Sequence, residues 1–111
     1  MNWNRLKPLL MAARTALSVA LLLTAAKAAE TTQFEVKDFM FGPTTLTVSA
    51  GAQVTWVNKD DEPHTVVSDS GAFRSAAMDT NESFSFKFDK PGTYHFTCSI
   101  HPRMVGTIVV K

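Results

Sequence analysis

Hydrophobic and polar residues alternate along short stretches of this chain, as they do in β-strands with one buried face. The clearest alternation covers residues 83–88, where Phe84, Phe86 and Phe88 fall on one face and polar residues on the other. Shorter runs of the same kind predict further strands at residues 32–36, 44–48, 54–57, 64–67, 94–98 and 106–110. No helical period follows residue 28. We therefore expect an all-β fold of about seven strands in a single domain, arranged as a small β-sandwich.

Turn-forming residues separate these runs. Asp89-Lys90-Pro91-Gly92 predicts a turn, because proline presets the φ of the first central residue and glycine takes the position that needs a positive φ. Residues 39–43 form an aromatic segment that ends in turn residues, and residues 58–63 form a polar turn. Residues 68–81 read as a longer loop. Its expected inward anchors are Phe73 and Met78.

Residues 1–28 have the layout of a secretory signal. Three basic residues come first, namely Arg5, Lys7 and Arg14. The apolar run that follows, at 16–26, spans about 11 residues, which is short for a bilayer crossing. Small residues at Ala26 and Ala28 predict cleavage before Ala29, although an uncleaved membrane anchor stays an alternative. No twin-arginine pair is present, so we expect export of residues 29–111 to the periplasm by the general secretory route.

Charge and cysteine content narrow the function further. The whole chain carries a formal charge of +1, with 11 Lys and Arg against 10 Asp and Glu. Cleavage would remove four basic residues and no acidic ones, which leaves seven against ten and a charge of −3. A domain with this excess of acidic residues shows no sign of the basic surface that binds nucleic acids. The single cysteine, Cys98, cannot form an intramolecular disulfide, so a thiol exported to an oxidising compartment needs protection or a function.

The residues around that cysteine suggest a function for it. His101 follows Cys98 at +3 and Met104 at +6, and His64 stands in the polar segment upstream. A lone cysteine is more often a small buried hydrophobe, and the histidine and methionine have equally ordinary explanations. Their combination in one short loop, stiffened by Pro102, favours a metal site instead. Two histidines, a thiolate and a weak axial methionine are the ligands of blue-copper electron-transfer centres.

Two stretches of the chain resemble one protein family. They are Asn58 through Pro63-His64-Thr65, and Phe86-x-Phe88-x-x-Pro91-Gly92-x-Tyr94-x-Phe96-x-Cys98-x-x-His101-Pro102-x-Met104-x-Gly106. This pattern is similar to that of the cupredoxins, in the plastocyanin, pseudoazurin and amicyanin group, with the short ligand loop of the amicyanin type. The resemblance implies a Greek-key β-sandwich with one type 1 copper per chain. The implied ligands are His64, Cys98, His101 and Met104.

One residue departs from the family pattern. The position after the first ligand histidine usually holds asparagine, which ties its strand to the cysteine loop, and here it holds Thr65. Hydrogen bonding around the sulfur tunes such a metal, so the substitution bears on redox potential and rigidity. We expect Phe41, Pro43, Pro102 and Tyr94 as candidates for the apolar shell of the sulfur. His95 alternates with the cysteine along its strand and is expected at the surface.

The resemblance and the ligand set lead to a functional hypothesis. We expect a periplasmic one-electron carrier that is monomeric, does not stay inserted in a membrane after cleavage, and docks a redox donor and acceptor near His101. Copper delivery or resistance is the alternative, and the same four ligands are compatible with it. An enzyme with Cys98 as nucleophile and His101 as base is disfavoured, since no third orienting residue or oxyanion-hole motif is recognisable.

Overall fold

A computed structural model of the protein describes residues 32–111. The expected secretory signal and its cleavage site lie outside the described residues. Within them, no helix has the length and apolar character needed to cross a membrane.

The described residues form eight strands in two four-stranded sheets. The strands are β1 (Gln33–Lys37), β2 (Met40–Gly42), β3 (Thr45–Val48), β4 (Ala52–Asn58), β5 (Val67–Ser68), β6 (Ser83–Phe88), β7 (Gly92–Thr97) and β8 (Val105–Val110). One sheet has the order β2-β1-β4-β6 and the other the order β3-β8-β7-β5. Both sheets are mixed, because β1 runs parallel to β4 and β3 parallel to β8. The expected all-β sandwich is confirmed.

The core lies between the two sheets and is largely aromatic. Phe34 of β1 stacks on Trp56 of β4 with ring centroids 5.5 Å apart. Phe96 of the opposite sheet meets both rings edge-on, at 5.0 and 5.4 Å. All three side chains are fully buried, and such pairs add about 0.5–1.5 kcal/mol each beyond the area they bury. This packing fixes β7, the strand that leads into Cys98, against the opposite sheet.

Two segments differ from the expected strand pattern. The aromatic segment after residue 38 contains a short strand, β2, which pairs with β1 through a tight hairpin. Residues 64–67, expected as a strand, contribute only Val67 to one; His64 instead makes an isolated bridge to Met78. The long loop supplies this partner because its anchors Phe73 and Met78 are buried, at 5% and 3% exposure, as predicted. The loop therefore takes the place of a neighbouring strand beside His64.

Candidate metal centre

His64 is held between a polar loop and the long loop that follows β5. Its backbone N–H donates to the Met78 carbonyl at 3.1 Å, and the Met78 N–H donates back at 2.8 Å. Asn58, at the end of β4, is fully buried, and its side-chain amide donates to the carbonyls of Glu62 and Met78 at 2.8 and 2.9 Å. These bonds connect both sides of the segment that carries His64. The imidazole is fully buried as a result.

The segment between β7 and β8 forms a compact loop that carries three of the expected ligands. The Cys98 N–H donates to the Met104 carbonyl at 3.2 Å, which closes the loop at its base. Within it, the His101 N–H donates to the Cys98 carbonyl at 3.2 Å and the Met104 N–H to the His101 carbonyl at 2.9 Å. Cys98 and Met104 are buried, and His101 is partly exposed. The short spacing of the motif thus places the three residues at the ends of two consecutive tight turns.

The structure brings three candidate ligands together at one point. The Nδ1 atoms of His64 and His101 lie 3.7 and 3.9 Å from the Cys98 Sγ. The candidate ligand atoms of these residues all lie within 4.8 Å of one another. One thiol and two imidazoles form a donor set that suits a soft or borderline ion such as copper. Met104, the fourth expected ligand, is buried and lines a surface depression together with His101.

The surroundings of the Cys98 sulfur favour a thiolate. Burial by itself raises the pKa of the thiol, but the backbone N–H groups of Thr65 and Ile100 hydrogen-bond to the sulfur and lower the pKa of Cys98 below its ordinary value. The Nδ1 atoms of both histidines also face the sulfur. Because the thiolate is the form that binds metal, the site is prepared for ligation.

Thr65 links the His64 segment to the cysteine loop. Its hydroxyl oxygen accepts the Ser99 N–H at 2.8 Å and lies 2.7 Å from the Ser99 hydroxyl oxygen. The same hydroxyl lies 3.7 Å from the Cys98 sulfur. Threonine therefore makes a connection between the two segments that the family pattern assigns to asparagine. The threonine side chain is shorter than that of asparagine, and its hydroxyl contacts both the backbone N–H and the hydroxyl of Ser99.

Two residues at the site were not assigned a role from the sequence. Asp60 places its carboxylate Oδ2 2.8 Å from the Nε2 of His64. Phe39 packs edge-on against the rings of His64 and His101, with centroids 5.3 and 4.8 Å away. Neither contact followed from the sequence pattern: Asp60 and His64 lie in a loop, where a spacing of four residues predicts no contact, and the position of Phe39 depends on a hairpin that the pattern did not indicate.

The four residues expected around the sulfur have different positions. Phe41 is buried and packs on the Phe96 ring, and Pro102 is exposed in the wall of the depression beside His101. Pro43 is exposed. The Tyr94 ring packs on Phe88, and its hydroxyl donates to the Lys90 carbonyl at 2.8 Å, next to the β6–β7 turn. These contacts show Tyr94 packed against the β6–β7 turn. Phe39, in contrast, packs against both His64 and His101.

The surface around His101 is apolar. Phe39, Ile100 and Pro102 line the depression next to His101, with Arg103 at its border. Phe39 and Ile100 are 46% and 49% exposed. This apolar face extends over the neighbouring strands through two further exposed side chains, Met40 and Val105.

His95 lies away from this cluster, as expected from strand alternation. It is exposed, and its Nδ1 lies 3.1 Å from the Thr107 hydroxyl oxygen on the adjacent strand β8. The contact is an ordinary cross-strand pair and gives His95 no link to the sulfur.

Known proteins resemble the chain in sequence and in structure. The family model described as a cupredoxin-like domain matches residues 10–110. Amicyanin-alpha of Methylorubrum extorquens is 33% identical over 88 residues, covering 75% of this chain and 74% of that protein. The plastocyanin of Scenedesmus fuscus is 40% identical over 85 residues, covering 65% of this chain and 87% of that protein.

Solved structures show the same relationship. An amicyanin variant in its Cu(I) form superposes with a TM-score of 0.70 at 28% identity, over 78% of this chain and 88% of that one. A copper-containing nitrite reductase from Thermus scotoductus superposes with a TM-score of 0.68 at 31% identity. That match covers 78% of this chain and only 24% of the reductase chain.

Proposed function

Because the chain belongs to the cupredoxin-like domain family, we propose that it is a small type 1 copper protein that carries single electrons between redox partners. The observation that carries the proposal is the meeting of the Cys98 sulfur with the Nδ1 atoms of His64 and His101. The expected cofactor agrees with the comparisons, since the amicyanin variant was solved in its Cu(I) form and the reductase is described as copper-containing.

Four residues hold the copper in this proposal. His64, Cys98 and His101 would supply its strong nitrogen and thiolate ligands, and Met104 would supply a weaker thioether ligand. When bound, the metal supplies a one-electron Cu(II)/Cu(I) couple. The protein contributes rigidity, because the cysteine loop is closed by backbone hydrogen bonds and the His64 segment is bonded to Met78. Ligands held in this way would need little rearrangement when the metal gains or loses one electron.

His101 is the electron port in this proposal. It is the partly exposed histidine of the cluster, whereas His64 is fully buried. The exposed apolar residues beside it offer a surface from which a bound redox donor or acceptor would exclude water. Arg103, which lines the same depression, favours a partner with acidic residues at the edge of the contact. Removing water between the two proteins shortens the path from the metal to the partner.

We place the protein in the periplasm as a monomer. The proposal draws on the layout of residues 1–28 and on the relationship to amicyanin. Export would leave a domain of net charge −3, with the thiol of Cys98 protected by the metal.

A carrier role is favoured over an enzymatic one. Copper oxidases and reductases usually need additional copper centres, and residues 32–111 bring together one group of three metal-capable side chains. The nitrite reductase match covers 24% of that enzyme's chain, so the similarity is to a part of the enzyme and not to the whole of it.

Copper delivery is the competing function, and copper retention separates the two. A delivery protein needs an open, exchangeable site, whereas His64, Cys98 and Met104 are all buried here. The purified copper protein is cycled between its oxidised and reduced forms in the presence of a modest Cu(I) chelator. A carrier keeps its copper over many cycles. Rapid transfer of copper to the chelator from the reduced form would favour delivery instead.

A further inference from the structure

Asp60 connects three parts of the molecule through one carboxylate. Oδ2 lies 2.8 Å from the Nε2 of His64 and also accepts the N–H of Phe39 at 3.0 Å. Oδ1 accepts the N–H of Asp38 at 2.6 Å. The backbone of Asp60 is held as well, since its N–H donates to the Asn58 side chain at 2.9 Å. The side chain of Asp60 is only 10% exposed, so this carboxylate is built into the fold.

The turn that Asp60 binds has an unfavourable backbone conformation. Lys37 of β1 pairs with Met40 of β2, which leaves Asp38 and Phe39 as a two-residue hairpin loop. Their φ angles are 53° and 57°, and non-glycine residues adopt this left-handed region only at a cost in free energy. The two hydrogen bonds to the Asp60 carboxylate offset that cost. They hold the Phe39 ring against the imidazoles of both histidines.

The same carboxylate determines which nitrogen of His64 faces the sulfur. A carboxylate accepts hydrogen bonds, so the Nε2 of His64 carries the proton and donates it to Asp60. Nδ1 is then left with its lone pair, 3.7 Å from the Cys98 sulfur. Hydrogen bonds from Phe39 and Asp38 keep the carboxylate ionised: burial raises the pKa of Asp60, yet these bonds and His64 lower it below its ordinary value.

We propose that Asp60 is a positioning residue of the metal centre, which holds the His64 imidazole in place and lowers the reduction potential of the copper. The inference rests on the function proposed above. Carboxylate partners of ligating histidines raise the basicity of the ligand and set its orientation. A negative charge bonded to a ligand stabilises Cu(II) more than Cu(I), because Cu(II) carries the larger positive charge. Removing the charge therefore favours reduction.

A redox titration of the copper-loaded protein tests the effect of the charge. Asp60→Asn removes the charge and keeps an oxygen that accepts a hydrogen bond. At a fixed applied potential we expect its ratio of reduced to oxidised protein to rise about tenfold, equivalent to 59 mV for a one-electron couple. Asp61→Asn is the matched control, since Asp61 is the exposed next residue with the same charge, and it should change the ratio less than about twofold. Asp60→Glu keeps the charge and should stay within about threefold of the wild type.

A second measurement tests the hydrogen bond directly. In the diamagnetic Cu(I) protein, the Nε2–H proton of His64 should exchange slowly with water by NMR, and the partly exposed His101 gives a fast internal reference. Asp60→Ala should make the His64 proton exchange rapidly. Equal redox shifts in the Asp60→Asn and Asp61→Asn proteins, or slow exchange that survives in Asp60→Ala, would overturn the role of Asp60. A wild-type chain that forms no copper–thiolate site would instead overturn the proposed function.

Discussion

Thr65 shows how one residue adapts the site of this protein. Its backbone N–H donates to the Cys98 sulfur, and its hydroxyl receives the Ser99 N–H. The N–H contact needs no particular side chain, so any residue except proline can provide it after His64. The link to the cysteine loop, in contrast, depends on the hydroxyl. The pKa of the thiol and the anchoring of the loop are therefore controlled by different atoms of the same residue.

Replacing Thr65 by valine separates these two contributions. The variant keeps the shape and the backbone N–H but leaves the Ser99 N–H without its acceptor. We expect the metal-free protein to lose about 1 kcal/mol of unfolding free energy, measured by urea denaturation. Thr47→Val is the control, since Thr47 is an exposed threonine on β3. Equal stabilities of the two variants would show that the Thr65–Ser99 link contributes nothing.

At the scale of elements, strand β8 must pass close to the aromatic core. Gly106 pairs with Phe96 across β7 and β8, and a Cβ at Gly106 would meet the ring of Phe96, with Cε2 only 2.6 Å away. Phe96 is fully buried between the sheets and lies two residues before Cys98. The absent side chain of Gly106 thus makes room for the ring that positions the strand leading to the ligand loop.

The variant Gly106→Ala tests this close packing. Overpacking in a filled core costs about 1–3 kcal/mol, so the variant should unfold at a clearly lower urea concentration. Gly42→Ala provides the comparison, because a Cβ at Gly42 would meet only the Glu35 carbonyl at 3.8 Å, an ordinary contact. If both variants match the wild type, the Phe96 ring can shift without cost and the packing argument is wrong.

The sequence predicted most of these elements because their side-chain patterns are local. The alternation of hydrophobic and polar residues predicted β6 with its observed bounds, and the spacing of the candidate ligands predicted the loop that brings Cys98 and His101 together. The sequence pattern missed β2 because Phe39 follows Asp38 where a two-residue hairpin turn favours glycine. Without that turn, the contact of Phe39 with the histidines could not be foreseen, and neither could the Asp60 carboxylate that holds it.

At the scale of the whole molecule, the ligands come from segments far apart in the chain. His64 precedes the cysteine loop by more than 30 residues, and the two meet only when the sheets have packed. A metal that binds this arrangement therefore binds the folded state and stabilises it by mass action.

Adding copper should accordingly raise the thermal stability of the protein. At a free concentration 100-fold above the dissociation constant, binding contributes about 2.7 kcal/mol to the unfolding free energy. For a domain of this size, each kcal/mol raises the melting temperature by about 4–8 °C. Thermal denaturation of metal-free and copper-loaded protein measures the difference. The variant Cys98→Ser should gain much less, and an equal gain would place the copper elsewhere.

The most direct test of the central claim is a visible absorption titration of the metal-free protein with Cu(II). We expect an intense blue thiolate-to-copper band that saturates at one copper per chain, is bleached by a reductant, and is absent in Cys98→Ser. A weak spectrum of the tetragonal type, or saturation at another ratio, would contradict the assignment of His64, Cys98, His101 and Met104 as the ligands of a type 1 site.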